Sequence, residues 1–319
     1  MRFMARRKGW RLAALTTLCL LAGRAADLGD PVARPVVTPG LATAGNGAGV
    51  GPCAAPPSAR LGPPTTWIVA GQSQATTFGM SRRTLPFVWA SDLNAYIWVW
   101  DPERRVGHWE QYEPGVNSAP KGQWGPEVQL IREFRKDHPA ATLAIIKYAP
   151  GQTGVALDPD RRDWNVHSRG EAWDRLADMT DAALRTCRLT VNAVFWMGNH
   201  NDGLRADHAA LVNKDMGDLV RTSRARWGAG VNWIIGLPDD TAPYFAAVGE
   251  GLIELDHADP LMASFDTHHY ATQPDGLHYD AASVVQLGRD FYQGWRELSR
   301  SRQLPPSREE SIRRALSQF

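Results

Sequence analysis

Cysteine is scarce in this chain: three residues, Cys19, Cys53 and Cys187, among 319. That excludes a small disulfide-dense scaffold. Long apolar runs are missing as well. The stretch Leu12–Ala22 has eleven residues, whereas a helix crossing a bilayer needs about 20, so no stable membrane span is expected. No segment repeats at a fixed period, which excludes solenoids and propellers. Metal-binding spacing is also absent. His268 and His269 are adjacent, but no spaced carboxylate or cysteine set accompanies them, and they read as an ordinary loop pair.

The first 26 residues are organised differently from the rest. Arg2, Arg6, Arg7, Lys8 and Arg11 precede the apolar stretch, and the small residues Gly23, Ala25 and Ala26 follow it. This is the pattern of a secretory signal peptide, and the protein is expected to be exported to the periplasm or outside the cell. The segment holds six of the 35 basic residues and no acidic one, so its removal leaves 29 basic against 34 acidic residues, a net charge of −5. A mildly acidic body argues against nucleic acid as a partner. Residues 27–64 carry eight prolines and seven glycines and read as a flexible linker. The folded domain is expected over 65–299, with a tail over 300–319 that carries Pro305-Pro306. Cys187 lies on the apolar side of a helix-like segment, and a buried free thiol is expected there rather than a bridge to Cys53.

Within 65–299, short apolar runs alternate with segments of helical period. Strand-like runs occur at Trp67–Ala70, Leu143–Tyr148, Ala193–Met197 and Val231–Gly236. Amphipathic helices are expected over Pro126–His138, Glu171–Arg188, His208–Arg226 and Asp280–Leu298. This alternation predicts a three-layer α/β/α sandwich with a mainly parallel central sheet. Residues 82–124 fit the pattern less well. Tyr96–Trp100 reads as an exposed or edge strand, and the many tryptophans nearby read as packing before they read as a sugar-stacking rim.

The run Thr66–Ala70 ends abruptly in Gly71-Gln72-Ser73. Glycine permits a sharp turn there, and a serine on a strand-to-helix turn has an exposed hydroxyl and a backbone N–H free to meet a reacting oxygen. A nucleophilic serine needs a base and a group that orients the base. Two Asp-x-x-His sequences could supply them: Asp266 to His269, and Asp275 to His278. The second is better placed, because Gly276 allows a tight turn and His278 immediately precedes the last helix.

Five blocks then line up in order: Gly71-Gln72-Ser73; Gly125-Pro126-Glu127; Ile146 to Thr153 with Trp164; Phe195-Trp196-Met197 leading to Asp202; and Asp275-Gly276-Leu277-His278-Tyr279 with Leu287-Gly288. Together they resemble the sialate O-acetylesterase-like carbohydrate esterases of the SGNH hydrolase superfamily. The resemblance implies a flavodoxin-like α/β/α domain and a serine esterase with no metal or other cofactor. It makes Ser73 the nucleophile, His278 the general base and Asp275 the residue orienting His278. Backbone N–H groups of Ser73 and Gly151 would form part of the oxyanion hole.

The chain departs from the family where the third oxyanion donor should lie. Trp-x-Gln-Gly-Glu-Ser-Asp is usual, and this chain reads Trp196-Met197-Gly198-Asn199-His200-Asn201-Asp202. Gly198 has no side chain to donate, so Asn199, or alternatively Asn201, is expected to do so. His200 stands where a glutamate is usual, Gln152 where a glycine is, and Gln74 where an asparagine is. The leading expectation is an exported esterase that removes O-acetyl groups from a carbohydrate through an acetyl-serine intermediate. An O-acyltransferase using the same residues, or a glycan-binding relic without catalysis, are the alternatives.

Overall fold

The computed structural model describes residues 63–301 except 79, 91–93, 160–161 and 239–241. The expected signal peptide, nearly all of the linker, Cys53 and nearly all of the tail lie outside the described residues. The strands are β1 (Thr65–Gly71), β2 (Ala95–Asp101), β3 (Val106–Gln111), β4 (Leu143–Tyr148), β5 (Val191–Met197), β6 (Asn232–Gly236) and β7 (Met262–Phe265). The helices are α1 (Ser73–Thr76), α2 (Glu127–Asp137), α3 (Ala172–Cys187), α4 (Ala206–Ala209), α5 (Val212–Trp227), α6 (Phe245–Ala258) and α7 (Ala281–Ser301).

The strands form one sheet in the order β3-β2-β4-β1-β5-β6-β7. Every neighbouring pair is parallel except β2 and β3. Residues alternate between the faces of a strand, and both faces are buried. Trp67, Val69, Ile145 and Phe195 pack with α2 and α7, while Ile68, Ala70, Ile146 and Trp196 pack with α3, α5 and α6. This is the expected three-layer sandwich. Trp67 anchors the first face, with its ring 5.0 Å from Phe134, 5.1 Å from Phe195 and 5.0 Å from Trp295.

Because β1 lies between β4 and β5, the loops that leave these three strands emerge side by side. In open parallel sheets such a switch in strand order leaves a crevice at the carboxyl ends, where ligands bind. The expected Ser73, Gly151 and Asn199 follow β1, β4 and β5 in turn.

Three expectations change. Tyr96–Trp100 is not an edge strand: β3 pairs with it antiparallel from Val106 to Gln111 and takes the edge. The turn between them is set by Asp101, whose Oδ1 accepts the backbone N–H groups of Glu103 and Arg104. Cys187 is held in a disulfide, not free; its half-buried place in the last turn of α3 leaves the sulfur reachable from outside the core. The third change is the addition of α6 and β7, which no strong apolar period announces. Among the described residues, no helix is long and apolar enough to cross a membrane.

Candidate active site

The turn after β1 is sterically determined. Gly71 has φ +126°, and a Cβ there would lie 2.0 Å from the Met197 carbonyl oxygen on β5. Any side chain would therefore separate β1 from β5. The Gln72 N–H donates to that same Met197 oxygen at 2.9 Å, and Ser73 follows as the first residue of α1. Gln72 and Gln74 are buried, whereas Ser73 is half-buried. The Ser73 hydroxyl donates to Gln74 Oε1 at 3.2 Å, an oxygen that also accepts Gln72 Nε2 at 2.7 Å. An amide oxygen holds the hydroxyl in place but is too weak a base to remove its proton.

The two Asp-x-x-His sequences fold differently. In the first, Asp266 bonds the ring and backbone N–H of His268, and His269 turns its ring edge to Tyr270 instead. In the second, His278 Nδ1 and Asp275 Oδ2 are 2.7 Å apart. Asp275 Oδ1 also accepts the N–H groups of Leu277 and His278, each at 3.0 Å. These bonds, that from the His278 ring foremost, hold the Asp275 carboxyl down at about 2. It is therefore an anion, and Nδ1 carries the shared proton. Nε2 is left facing away from Asp275. The loop is tied to the Ser73 segment, because Gln273 Nε2 donates to the Phe78 carbonyl at 2.8 Å and the Phe78 ring lies 5.1 Å from that of His278.

Gly151 closes the other side: a Cβ built on it would be 3.7 Å from Ser73 Cβ. Gln152, which replaces a usual glycine, has φ +59°, a region costing a residue with a side chain about 1–2 kcal/mol. That backbone shape explains why glycine suits the position. Trp164 fastens this loop to β1, its Nε1 donating to the Gly71 oxygen at 3.1 Å and to Thr153 Oγ1 at 3.0 Å.

Asn199 is buried, with φ +73°. Its Oδ1 accepts Trp196 Nε1 at 2.7 Å and its Nδ2 donates to Asp202 Oδ2 at 3.1 Å. An amide has two N–H bonds, so one remains. Asn201 instead lines a cleft of about 240 Å³ with Gln152, Arg162, Arg205 and His208. His200 is half-buried between the two asparagines. Among the described residues, no group of three His, Cys, Asp or Glu side chains could hold a metal ion.

Residues 63–296 match the family described as carbohydrate esterase, sialic acid-specific acetylesterase. The chain belongs to that family. No curated protein sequence matches the chain. Solved structures share its fold. A protein from Arabidopsis thaliana superposes with a TM-score of 0.59 at 19% identity, over 74% of this chain and 99% of its own. NanS gives 0.54 at 13% identity, over 74% and 98%. A carbohydrate acetylesterase from Xanthomonas citri gives 0.53 at 13% identity, over 74% of this chain and 57% of its own.

The esterase also contains supporting groups whose roles the sequence does not announce. Asp202 is fully buried, and its carboxylate accepts the N–H groups of Val155 and Ala156 and the amide of Asn199. It therefore ties the loop after β4 to the loop after β5. A Cβ on Gly154 would lie 2.4 Å from Asp202 Oδ1, which leaves room only for glycine. Burial outweighs these hydrogen bonds and raises the Asp202 carboxyl to about 6. Behind α1, Lys147 and Glu127 form a completely buried ion pair at 2.9 Å. Glu127 Oε1 further accepts the Tyr112 and Ser118 hydroxyls and the Gly125 N–H. Burial lowers the Lys147 pKa, and Glu127 opposes that shift. Glu127 and Lys147 stand in two of the aligned blocks, but only the register of β4 against the start of α2 brings them into contact.

Proposed function

We propose that the esterase removes O-acetyl groups from a carbohydrate through an acetyl-serine intermediate, with Ser73 as nucleophile, His278 as base and Asp275 as its orienting anion. The observation that carries this reading is the 2.7 Å bond between His278 Nδ1 and Asp275, on a loop fastened to the segment that follows Ser73. A base held by Nδ1 presents Nε2 to the nucleophile.

Ser73 Oγ attacks the acetyl carbonyl carbon and passes its proton to His278 Nε2. The carbonyl oxygen becomes an oxyanion that accepts from the N–H groups of Ser73 and Gly151 and from the remaining Asn199 N–H. Each such donor is worth about 10²–10³ in rate. Collapse breaks the ester bond, and the departing sugar oxygen takes the proton from His278. Water, deprotonated by His278, then attacks the acetyl-serine and releases acetate and Ser73. The 240 Å³ cleft beside Gln152 and Asn201 is where the acetylated ring would sit. The amino-terminal pattern supports export, which cell fractionation tests.

Acetate release from acetylated oligosaccharides, together with labelling by a fluorophosphonate, tests the mechanism. Both should disappear in Ser73→Ala. Label retained in that variant overturns the assignment.

A further inference from the structure

Strands β2 and β4 are paired only at their beginnings, Ala95–Ile97 against Leu143–Ile145. Both run on for three or four residues more, to Asp101 and Tyr148, and over that length they part. The opening is a cleft of about 430 Å³ at the carboxyl end of the sheet, the same end that carries Ser73. That volume lies in the usual range for small-ligand pockets. Its walls include Trp98, Trp100, Tyr148 and Val116, and Glu110, Asn117 and Lys121 line it as well.

The wall chemistry narrows the occupant. A pyranose ring has an apolar C–H face bordered by hydroxyls, so it asks for aromatic surface with planar polar groups nearby. Trp100 and Tyr148 are half-buried aromatic rings. Glu110 and Asn117 are already oriented, with Asn117 Nδ2 donating to Glu110 Oε2 at 3.0 Å, and Lys121 acts electrostatically on Glu110. A purely apolar ligand would leave these polar groups without a function.

The cleft also adjoins the proposed reaction site. Arg162 lines the 240 Å³ cleft and acts electrostatically on Tyr148, which lines the larger one. On the same wall, Tyr148 packs edge-on to Trp164 at 5.8 Å, and Trp164 donates to Gly71. One wall thus separates the two clefts. We propose that the opening between β2 and β4 is a second sugar subsite, holding an unacetylated pyranose ring of the same glycan chain, so that the substrate is an oligosaccharide or polysaccharide rather than a free sugar. This rests on the carbohydrate esterase reading of Ser73.

Binding of xylohexaose, cellohexaose, mannohexaose and chitohexaose, and of the corresponding monosaccharides, to the full chain is the test, read by calorimetry and tryptophan fluorescence. At least one hexasaccharide should bind with a Kd below about 1 mM and its monosaccharide about tenfold more weakly. Trp100→Ala should weaken the hexasaccharide about tenfold, since a stacked ring is lost. Val116→Arg, at an exposed position on the rim, should do the same by filling the mouth, and it decides the matter if Trp100→Ala fails to fold. The proposal is overturned if no hexasaccharide binds, if hexasaccharide and monosaccharide bind alike, or if folded variants bind like the parent. It is overturned too if laurate binds and no saccharide does, which would assign the cleft to an acyl chain. Hydrolysis of p-nitrophenyl acetate, abolished in Ser73→Ala, is measured separately, so failure of the subsite and failure of the esterase mechanism are told apart.

Discussion

The chain contains the same four-residue spacing twice within thirteen residues, Asp266 to His269 and Asp275 to His278, and folds it in two ways. In the first turn Thr267 is buried, its hydroxyl bonded to the Leu237 oxygen and to Tyr279, and Asp266 is left to pair with the next histidine, His268. In the second, Pro274 and Gly276 close a reverse turn in which the Gly276 N–H donates to Gln273 at 2.9 Å. Asp275 then collects two backbone N–H groups on one oxygen and the His278 ring on the other. Spacing supplies candidates, and the backbone between the ends chooses the partner.

Exchange of the two histidines is the strongest way to break this comparison. His278→Ala should lower turnover of an acetylated sugar by about 10³–10⁶-fold, whereas His269→Ala should leave it near the parent level. Steady-state kinetics on both variants decides. An inactive His269→Ala beside an active His278→Ala would reverse the assignment.

The aspartates should differ by less, because each acts through a histidine. Asp275→Asn should cost about 10²–10⁴-fold in turnover, through the wrong imidazole tautomer, and Asp266→Asn should cost little. The sign of the pH effect follows from the depressed Asp275 carboxyl at about 2. Its stabilising contribution is present above the ordinary carboxylate range and is lost only as the pH falls through about 2. Asp275 therefore stays ionised at mildly acidic pH and does not itself titrate in any loss of activity there, and the acid limb should keep its shape in Asp266→Asn. An acid limb that changes shape in Asp266→Asn would contradict this.

Much of the fold is legible in the sequence, for identifiable reasons. Four buried parallel strands announce themselves as apolar runs, and four helices as amphipathic periods, because burial on two faces or on one leaves that trace. The turn at Gly71 is legible because a glycine that ends an apolar run permits a sharp turn, and the structure adds that only glycine fits against Met197. The β2–β3 hairpin was half-read: Trp98 and Trp109 face each other across it, 5.2 Å apart, but pairing between strands leaves no periodicity of its own. Asp202 stands in an aligned block, but what it holds is not legible, since its partners, Val155 and Ala156, are 46 or more positions away. The disulfide at Cys187 is not legible, because helical position alone does not report whether a sulfur is reachable.

Asp202 provides a third carboxylate with the opposite electrostatics to Asp275. Its folded pKa is raised to about 6 from 3.8, so the folded state binds the proton more tightly than the unfolded chain does. Stability from this group must then decline as the pH rises from about 4 to about 6, and stay reduced above that. At 1.36 kcal/mol per unit the loss amounts to about 3 kcal/mol. Denaturant unfolding of the parent and of Asp202→Asn across this range should give curves that diverge between those pH values, with the parent falling and the variant lacking that leg. Parallel curves would show that Asp202 is not the buried titrating group.

The smallest effect is expected at Gly276, where the second turn differs most plainly from the first. Gly276 has φ +69°, and a Cβ there would meet no atom within 4 Å, so Gly276→Ala introduces backbone strain without a clash. Strain of about 1–2 kcal/mol is partly offset by the reduced freedom of the unfolded chain, about 0.4–1 kcal/mol. A net loss near 1 kcal/mol in unfolding free energy is expected, with turnover reduced only a few-fold as the bond between Asp275 and His278 loosens. If the variant instead loses activity as completely as Asp275→Asn, the turn's conformation itself holds the pair, and the carboxylate's two backbone N–H bonds are too weak to do so alone.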